Sequence, residues 1–457
     1  MLILSTASAH SAERFELAEK GDDNRIFKVA VALDVSGTVY PEAGADKGLK
    51  LAVDGKFAYD ERRQAGTGRD AQTLRSVRYY HEAEATIHEQ SLAAKATAEQ
   101  LSSFLLRDPL RLIVAGGQAD GVELFSPSGP LTVQELQLLK YPGDSLALLG
   151  LLPDSKVEVT ESWQPAEWVL PMLAGIEAAE KSKLTCRLES AEKGAAVISV
   201  SGEITGLALG VPAHVQITGR LIYDLELRCL RQAELTQTEK RSIGTVSPGL
   251  DVSAKVTVTR AVNEQPRRLT DKDLAGIPLE PNDASLLLMF EAPVWNLRFF
   301  HDRQWHLRYQ TTEMAVLKLL KDGRPTAQCH IKKLPDAEPG GHVTEEQFQE
   351  DVRRTLGKDF QEFVEAEKLK LRDGLFVFRV VAVGSVQARN EKKEPTLIPM
   401  QWIYYLVANP EGRQVSFAFA VEPKLAEDLK SRDLSIVGGM EFLSRGPRVT
   451  PAKAVGK

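Results

Sequence analysis

The sequence predicts an α+β protein. Its larger part reads as a curved antiparallel β-sheet, a half-barrel with short helices, and its smaller part as an antiparallel sheet flanked by helices. Three observations carry this. Period-2 apolar alternation dominates roughly the first 260 residues. A polar stretch with three prolines, NEQPRRLTDKDLAGIPLEPNDAS (263–285), reads as a linker. After it, helical periodicity interrupts the strands. At 457 residues, 43% hydrophobic and 26% charged, the chain has the length and composition of two globular domains.

The domains so read are 13–262 and 286–444, joined by 263–285. The N-terminal MLILSTASAHSA (1–12) has the apolar Met1–Leu4 and the small-x-small Ala7-Ser8-Ala9, with Ala12 as a second cleavage point. It lacks a basic start, so it reads as a truncated export signal. The end, RGPRVTPAKAVGK (445–457), carries four basic residues and no acids and reads as a disordered basic tail. A net charge of −6 is too mild to call for a nucleic-acid partner, and no apolar run approaches the ~20 residues of a transmembrane helix. Cys186, Cys229 and Cys329 form neither a disulfide framework nor a CxxC spacing. Cys186 and Cys229 share one half and are candidates to pair, but three separately buried thiols is the favoured reading.

RIFKVAVALDV, LKLAVDGKFAYDE and AAVISVSGEITG are predicted strands. In HVQITGRLIYDLELRC one face collects Val215, Ile217, Gly219, Leu221, Tyr223, Leu225, Leu227 and Cys229, as in a sheet covered on one side. Gly219 on that face predicts close approach of another element. VSAKVTVTR repeats the pattern with Val252, Ala254, Val256 and Val258. TVQELQLL opens with the capping box Thr132-x-x-Glu135. AEWVLPMLAGIEAAE is helix-like, with Pro171 as an interruption.

In the second half TEEQFQEDVRRTLG aligns Phe348, Val352 and Leu356 on one helix face, with Gly357 as a stop. PKLAEDLK starts a helix at Pro423. Strands are predicted at 363–371, 375–384, 399–408 and 414–421. Asp373-Gly374 signals a two-residue hairpin, placing Leu371 opposite Phe376 and Leu369 opposite Phe378. MQWIYYLVA is apolar on both faces and marks a central strand. The small face Ser416, Ala418 and Ala420 of QVSFAFAVE suits close packing against a helix.

The run of elements from about 294 to 443 resembles the PsbP-like α/β/α sandwich, named for an extrinsic protein of the photosystem II oxygen-evolving complex. The likeness rests on VWNLRFFHDRQWHLRY, the TEEQFQEDVRRTLG helix, the hairpin and WIYYLVANPEGRQVSFAFAVEP. It carries no catalytic motif. The first half resembles exported bacterial proteins of unknown function, through LRSVRYYHEAEATI, SPSGPLTVQELQLL, LLPDSKVEVTESWQP and RSIGTVSPGLDVSA. By analogy of shape it is similar to lipoprotein-carrier half-barrels, which implies a concave sheet that holds apolar chains.

The densest cluster of metal-ligand residue types is YYHEAEATIHEQ (79–90). On a helix His81, Glu84 and His88 would stack and share a metal. On a strand Val77, Tyr79, His81, Ala83, Ala85 and Ile87 face one way, and Arg78, Tyr80, Glu82, Glu84, Thr86 and His88 the other. The histidines then lie on opposite faces, about 23 Å apart at ~3.3 Å per residue. The strand reading fits the neighbouring segments, and the spacing is not HExxH. The hairpin register sets Lys368 opposite Arg379, which is either an anion site or a wet face with carboxylates on the next strand. His301 and His306 around Trp305 read as an aromatic turn, and Trp163 and Trp168 as core anchors. No nucleophile elbow or phosphate loop occurs.

No catalytic, cofactor or metal residue is therefore assigned. The expectation is an exported, non-enzymatic binding or accessory protein of the cell envelope, periplasmic or secreted, with an apolar or lipid-like ligand on the concave sheet or an envelope protein as partner. The alternatives are a secreted hydrolase whose site is built from residues distant in sequence, and a protein-docking module.

Overall fold

The computed structural model describes residues 13–19, 24–41, 48–64, 70–92, 99–389 and 394–444. The export-signal reading of 1–12 and the tail 445–457 lie outside them. The fold is predominantly antiparallel sheet with short helices, an α+β class, and the chain divides into one compact unit up to Ser285 and a second from Leu286.

The first unit is organised on a thirteen-stranded antiparallel sheet. Its strands in chain order are β1 (Ile26–Tyr40), β2 (Leu49–Gln64), β3 (Arg75–Ser91), β4 (Glu99–Leu105), β5 (Leu112–Gln118) and β6 (Gly121–Phe125). Helices α1 (Val133–Leu139) and α2 (Val169–Ala174) follow, and then β7 (Ala178–Ser182), β8 (Thr185–Glu192), β9 (Ala195–Ala208), β10 (Val211–Asp224), β11 (Cys229–Arg241) and β12 (Gly249–Val262). The order across the sheet is β8-β9-β10-β11-β12-β1-β2-β3-β5-β6; β7 pairs with β9, β4 with β3, and the two-residue strand Ser162–Trp163 flanks β8.

Alternation does what the sequence asks of it. Val215, Ile217, Leu221 and Tyr223 of β10 and Val256 and Val258 of β12 are buried. A Cβ at Gly219 would meet Glu234 O of β11 at 2.5 Å, so only glycine allows that approach. The strand ends earlier than its alternation suggests. Asp224 accepts N–H groups of Glu226 and Leu227 and folds 225–228 into a turn. Leu227 is consequently exposed and Cys229 opens the next strand.

The apolar face of this sheet is covered mainly by segment 131–176, with residues 17–19 beside it: Tyr223 donates to Ala18 O, and Glu19 sits against Arg63 and Arg260. The predicted capping box is present, with Thr132 Oγ1 accepting from Glu135 N and Glu135 accepting from Thr132 N. Tyr141 packs on Phe57 at 4.6 Å between ring centroids, Gly143 lies against Val256 and Leu235, and Gln237 donates to Ala174 O. Pro171 does not break α2: it occupies the first turn, where no intrahelical N–H is needed, and Gly175 closes the helix at φ 66°. The residues after it form strand β7 and not a continuation of the helix.

The stretch read as a linker belongs to the first unit up to Ser285 and is held along it. Arg62 donates to Leu269 O and pairs with Asp271 at 2.6 Å, Arg75 grips Glu280 with two bonds of 3.0 Å, and Arg268 lies over Tyr79.

In the second unit, β13 (Leu288–Ala292) and β14 (Leu297–His301) form a hairpin. A seven-stranded antiparallel sheet is built from β15 (Trp305–Gln310), β16 (Met314–Lys321), β17 (Arg324–Lys333), β18 (Phe360–Lys368), β19 (Phe376–Arg389), β20 (Pro395–Ala408) and β21 (Gln414–Val421). Its order is β15-β16-β17-β21-β20-β19-β18. Helix α3 (Glu345–Leu356), N-capped by Thr344, packs Phe348 and Val352 with Trp402, Tyr404, Leu406 and Ala420. The opposite face packs Ile403, Tyr405 and Val407 with Phe417, Phe419 and Ile436 and Val437 of α4 (Arg432–Gly438). Strand β20 is thus covered on both faces, as its composition predicts.

Candidate functional site

Residues 75–91 form strand β3, not a helix, but the alternation is broken. A bulge leaves His81 without a cross-strand partner, since Ala58 faces Glu82 while Tyr59 faces Tyr80. Tyr80 and Ala83, predicted on opposite faces, therefore both lie against the buried Tyr59 and Phe57. The phase change turns His81 and His88 to the same side of the ladder, which corrects the expected opposition. They still do not converge. His81 Nε2 is 3.1 Å from Asp60 and His88 Nδ1 is 3.1 Å from Glu99, and the two lie seven positions apart along an extended strand. Among the described residues no group of three His, Cys, Asp or Glu side chains is arranged to hold a metal.

The hairpin register also differs by one residue from the predicted one. Glu367, not Lys368, faces Arg379, and Lys368 faces Phe378. The loop sets this register: Asp373-Gly374 lies in a wider loop closed by Leu369 N donating to Val377 O, and bulges at Phe363/Glu365 and Phe360/Glu362 shift the ladder again only farther from it. The shift replaces two facing cations by an opposite-charge pair. Arg379 binds Glu365 at 2.6 Å and Glu367 at 3.4 Å, and Lys368 binds Glu345 at 2.6 Å. The anion site is not formed.

The predicted aromatic anchors divide. Trp163 donates to Leu151 O, whereas the Trp168 indole N–H has no partner among the described residues. His301 and Trp305 are buried; burial lowers the His301 pKa and keeps its ring neutral. The three thiols are unpaired and buried, and burial pushes Cys186 up to about 12. They are protonated and poor nucleophiles.

Sequence reasoning missed the most highly charged interior of the molecule. Below the cover, Arg78 makes a two-pronged contact with Asp144, both bonds 2.7 Å, and reaches Glu61 at 3.1 Å. Ser145 donates to Glu61, and Arg63 donates to Ser145 O and pairs with Glu19 at 2.6 Å. Arg260 holds both oxygens of Glu19 at 2.9 and 3.0 Å. All six ionic residues are buried, and three arginines balance three carboxylates. Burial alone would raise the Glu19 carboxyl, but Arg260 and Arg63 outweigh it and hold it at about 2. Burial opposes ionisation of Glu61 as well; Arg78 and Arg63 prevail and hold it below the usual range. Tyr59, Tyr80 and Tyr141 roof the cluster, with Tyr80 pushed by burial up to about 12. A signal was there to read: Phe57, Tyr59, Glu61 and Arg63 share one strand face, and Arg260 continues the phase of Val256 and Val258. Charges that persist in an inward phase imply a buried ionic network.

At the edge of the cover lies the largest open cavity among those described, a groove of about 610 Å³ between 164–171 and 177–184. Leu170, Pro171 and Leu184 give it an apolar side, and Glu167, Glu177 and Glu180 a charged one. Burial raises the Glu177 carboxyl, and nearby Asp120 adds to the effect.

No protein-family model matches the sequence, and no curated protein matches it. Among solved structures the chain is similar to lipovitellin, from a study of its lipid–protein interactions, over 55% of this chain at 7% identity and a TM-score of 0.31. The chain spans 26% of that chain's length. It is also similar to OprB of Pseudomonas putida (8% identity, 90% of this chain and 99% of that chain, TM-score 0.13). A third likeness is the translocator domain of the autotransporter NalP from Neisseria meningitidis (6% identity, 88% and 89%, TM-score 0.12). Likenesses at these scores fix neither fold nor function. Among the described residues no helix is long and apolar enough to cross a membrane.

Proposed function

We propose that this chain is an exported, non-enzymatic binding or accessory protein of the cell envelope. In this reading the first unit is a lipoprotein-carrier-like half-barrel, and its apolar sheet face takes an apolar, lipid-like ligand when the helical parts of segment 131–176 lift. The second unit is a PsbP-like sandwich serving as the accessory or docking part.

One observation carries the reading. The apolar face of a thirteen-stranded sheet is covered mainly by short helices of segment 131–176 and not by a second sheet. This cover lifts in its helical parts, around Ser162–Trp163, which stays paired with β8, because few hydrogen bonds tie those parts to the ladder beneath. Its firmest polar attachment is local, at Asp144 and Ser145, and a local latch permits hinged opening. A hydrolase would need a nucleophile converging with a base. Instead the thiols lie buried, and His81, His88 and His214 each pair with one carboxylate on a sheet.

Native mass spectrometry of the protein purified from its own host, with metal analysis, tests this reading. A co-purifying lipid at a defined stoichiometry is the expected result. A stoichiometric metal and no lipid would replace the carrier reading with a metal-dependent one.

A further inference from the structure

Strands β7 and β8 are two pieces of one sheet edge, both paired with β9 and broken at Lys183–Leu184. The break is built in: a Cβ at Gly202, opposite it on β9, would lie 2.3 Å from Lys183 O. The two pieces are treated differently on their outer side. Along β8 the edge is covered, with Ser162 and Trp163 facing Arg187 and Cys186. Along β7 no strand among the described residues pairs with the outer edge. The covering chain leaves at Gln164-Pro165, and proline cannot donate to a ladder. The 610 Å³ groove opens where that covering strand would have continued.

From this we infer that β7 is a strand-addition site: an extended peptide occupies the groove as the missing neighbour of β7, and the peptide is basic. Strand addition needs an unpaired edge, an adjoining apolar wall and room for alternate side chains. Here β7 supplies the edge, Trp168 and Leu170 the wall, and Ala178 and Ala179 offer no bulky side chain to block approach. Five strand residues span about 17 Å at ~3.3 Å each, the reach of a short peptide segment. The charge selects the partner. Glu167, Glu177 and Glu180 line the groove with Lys181; near Glu177, Asp120 adds negative charge and Lys140 offsets part of it. Exposed strand edges are usually guarded by lysines or bulges. Strand β7 has one lysine, Lys181, and a bulge at Glu180, but the groove beside it holds three carboxylates, so it repels acidic chains and admits those carrying lysine or arginine at alternate positions. The site is distinct from the sheet face beneath the cover.

The test is fluorescence polarisation of a labelled nonapeptide alternating lysine and valine against the full chain, beside its glutamate–valine counterpart. Hydrogen exchange is measured in parallel. The lysine peptide is expected to bind, to slow exchange at 178–182, and to lose about tenfold in affinity in the Glu177→Gln, Glu180→Gln double variant. The glutamate peptide is expected not to bind. Circular dichroism of the variant, expected to match the parent, separates lost binding from lost folding. Absence of binding by either peptide, or binding without protection of 178–182, would overturn the inference. A concentration-dependent dimer that protects 178–182 without peptide would assign the edge to a second copy of the chain instead. Lipid uptake intact alongside a silent β7 would sink this inference and leave the carrier reading standing.

Discussion

Under residues 141–145 the first unit gathers three arginines, three carboxylates and three tyrosines out of contact with water, whereas β20 in the second unit is packed on both faces by aromatic rings and aliphatic chains. Both interiors are full, but their attachments differ in kind. Apolar packing is spread over many contacts and resists opening everywhere at once. A buried ionic cluster concentrates its attachment in a few directed bonds, and ion pairs of this kind are weak contributors to net stability although costly to break singly. In the proposed function it is the first unit that lets a segment go.

The largest effect expected from breaking this contrast is at Arg78. Arg78→Ala leaves Asp144 and Glu61 buried without their cation, and should cost about 3–5 kcal/mol in the first unit, read as faster exchange in β12 during urea unfolding. Exchange in β20 should not change.

Acid should act on the same unit. Glu19 is depressed to about 2 from an ordinary 4.5, so its contribution is fully present above pH 4.5 and is lost as pH falls through 2. The amount is on the order of 3 kcal/mol. Glu61 shifts in the same direction. Urea midpoints taken between pH 6 and pH 2 should fall more steeply for the first unit than for the second. Equal slopes would deny the ionic interior its role.

A smaller effect sharpens the other side of the comparison. Tyr405 in β20 donates to the buried Asp433 at 2.7 Å, and Tyr405→Phe should cost about 1–3 kcal/mol, confined to the second unit. Smallest is the cap of α1, where Thr132→Ala should remove about 1 kcal/mol from the cover. Amide exchange in 133–139 is the readout.

Where alternation was clean, the fold was legible. Val256 and Val258, the two faces of β20, the Thr132 cap and Gly219 are as their patterns imply. What alternation cannot show is a change of phase. The bulge at His81 moved side chains across the sheet, and a loop wider than Asp373-Gly374 alone shifted a register by one; neither leaves a mark in hydrophobicity. The stop at Asp224 was masked because Leu225 and Leu227 keep the period although they belong to a turn. The ionic cluster was hidden for another reason. Its members come from residues 19, 61, 63, 78, 144 and 260, and only the fold brings them together. The groove beside β7 depends on where a covering strand ends, and that is a tertiary fact.

In the proposed function the helical parts of segment 131–176 are a cover that yields to an apolar ligand. Hydrogen exchange read by mass spectrometry, with and without oleate micelles, tests it most directly. The account predicts that amides of 133–151 and 169–174 lose protection on oleate uptake while β10 and β12 keep theirs. Oleate binding that leaves the cover fully protected, or no binding at any pH between 4 and 8, would contradict it.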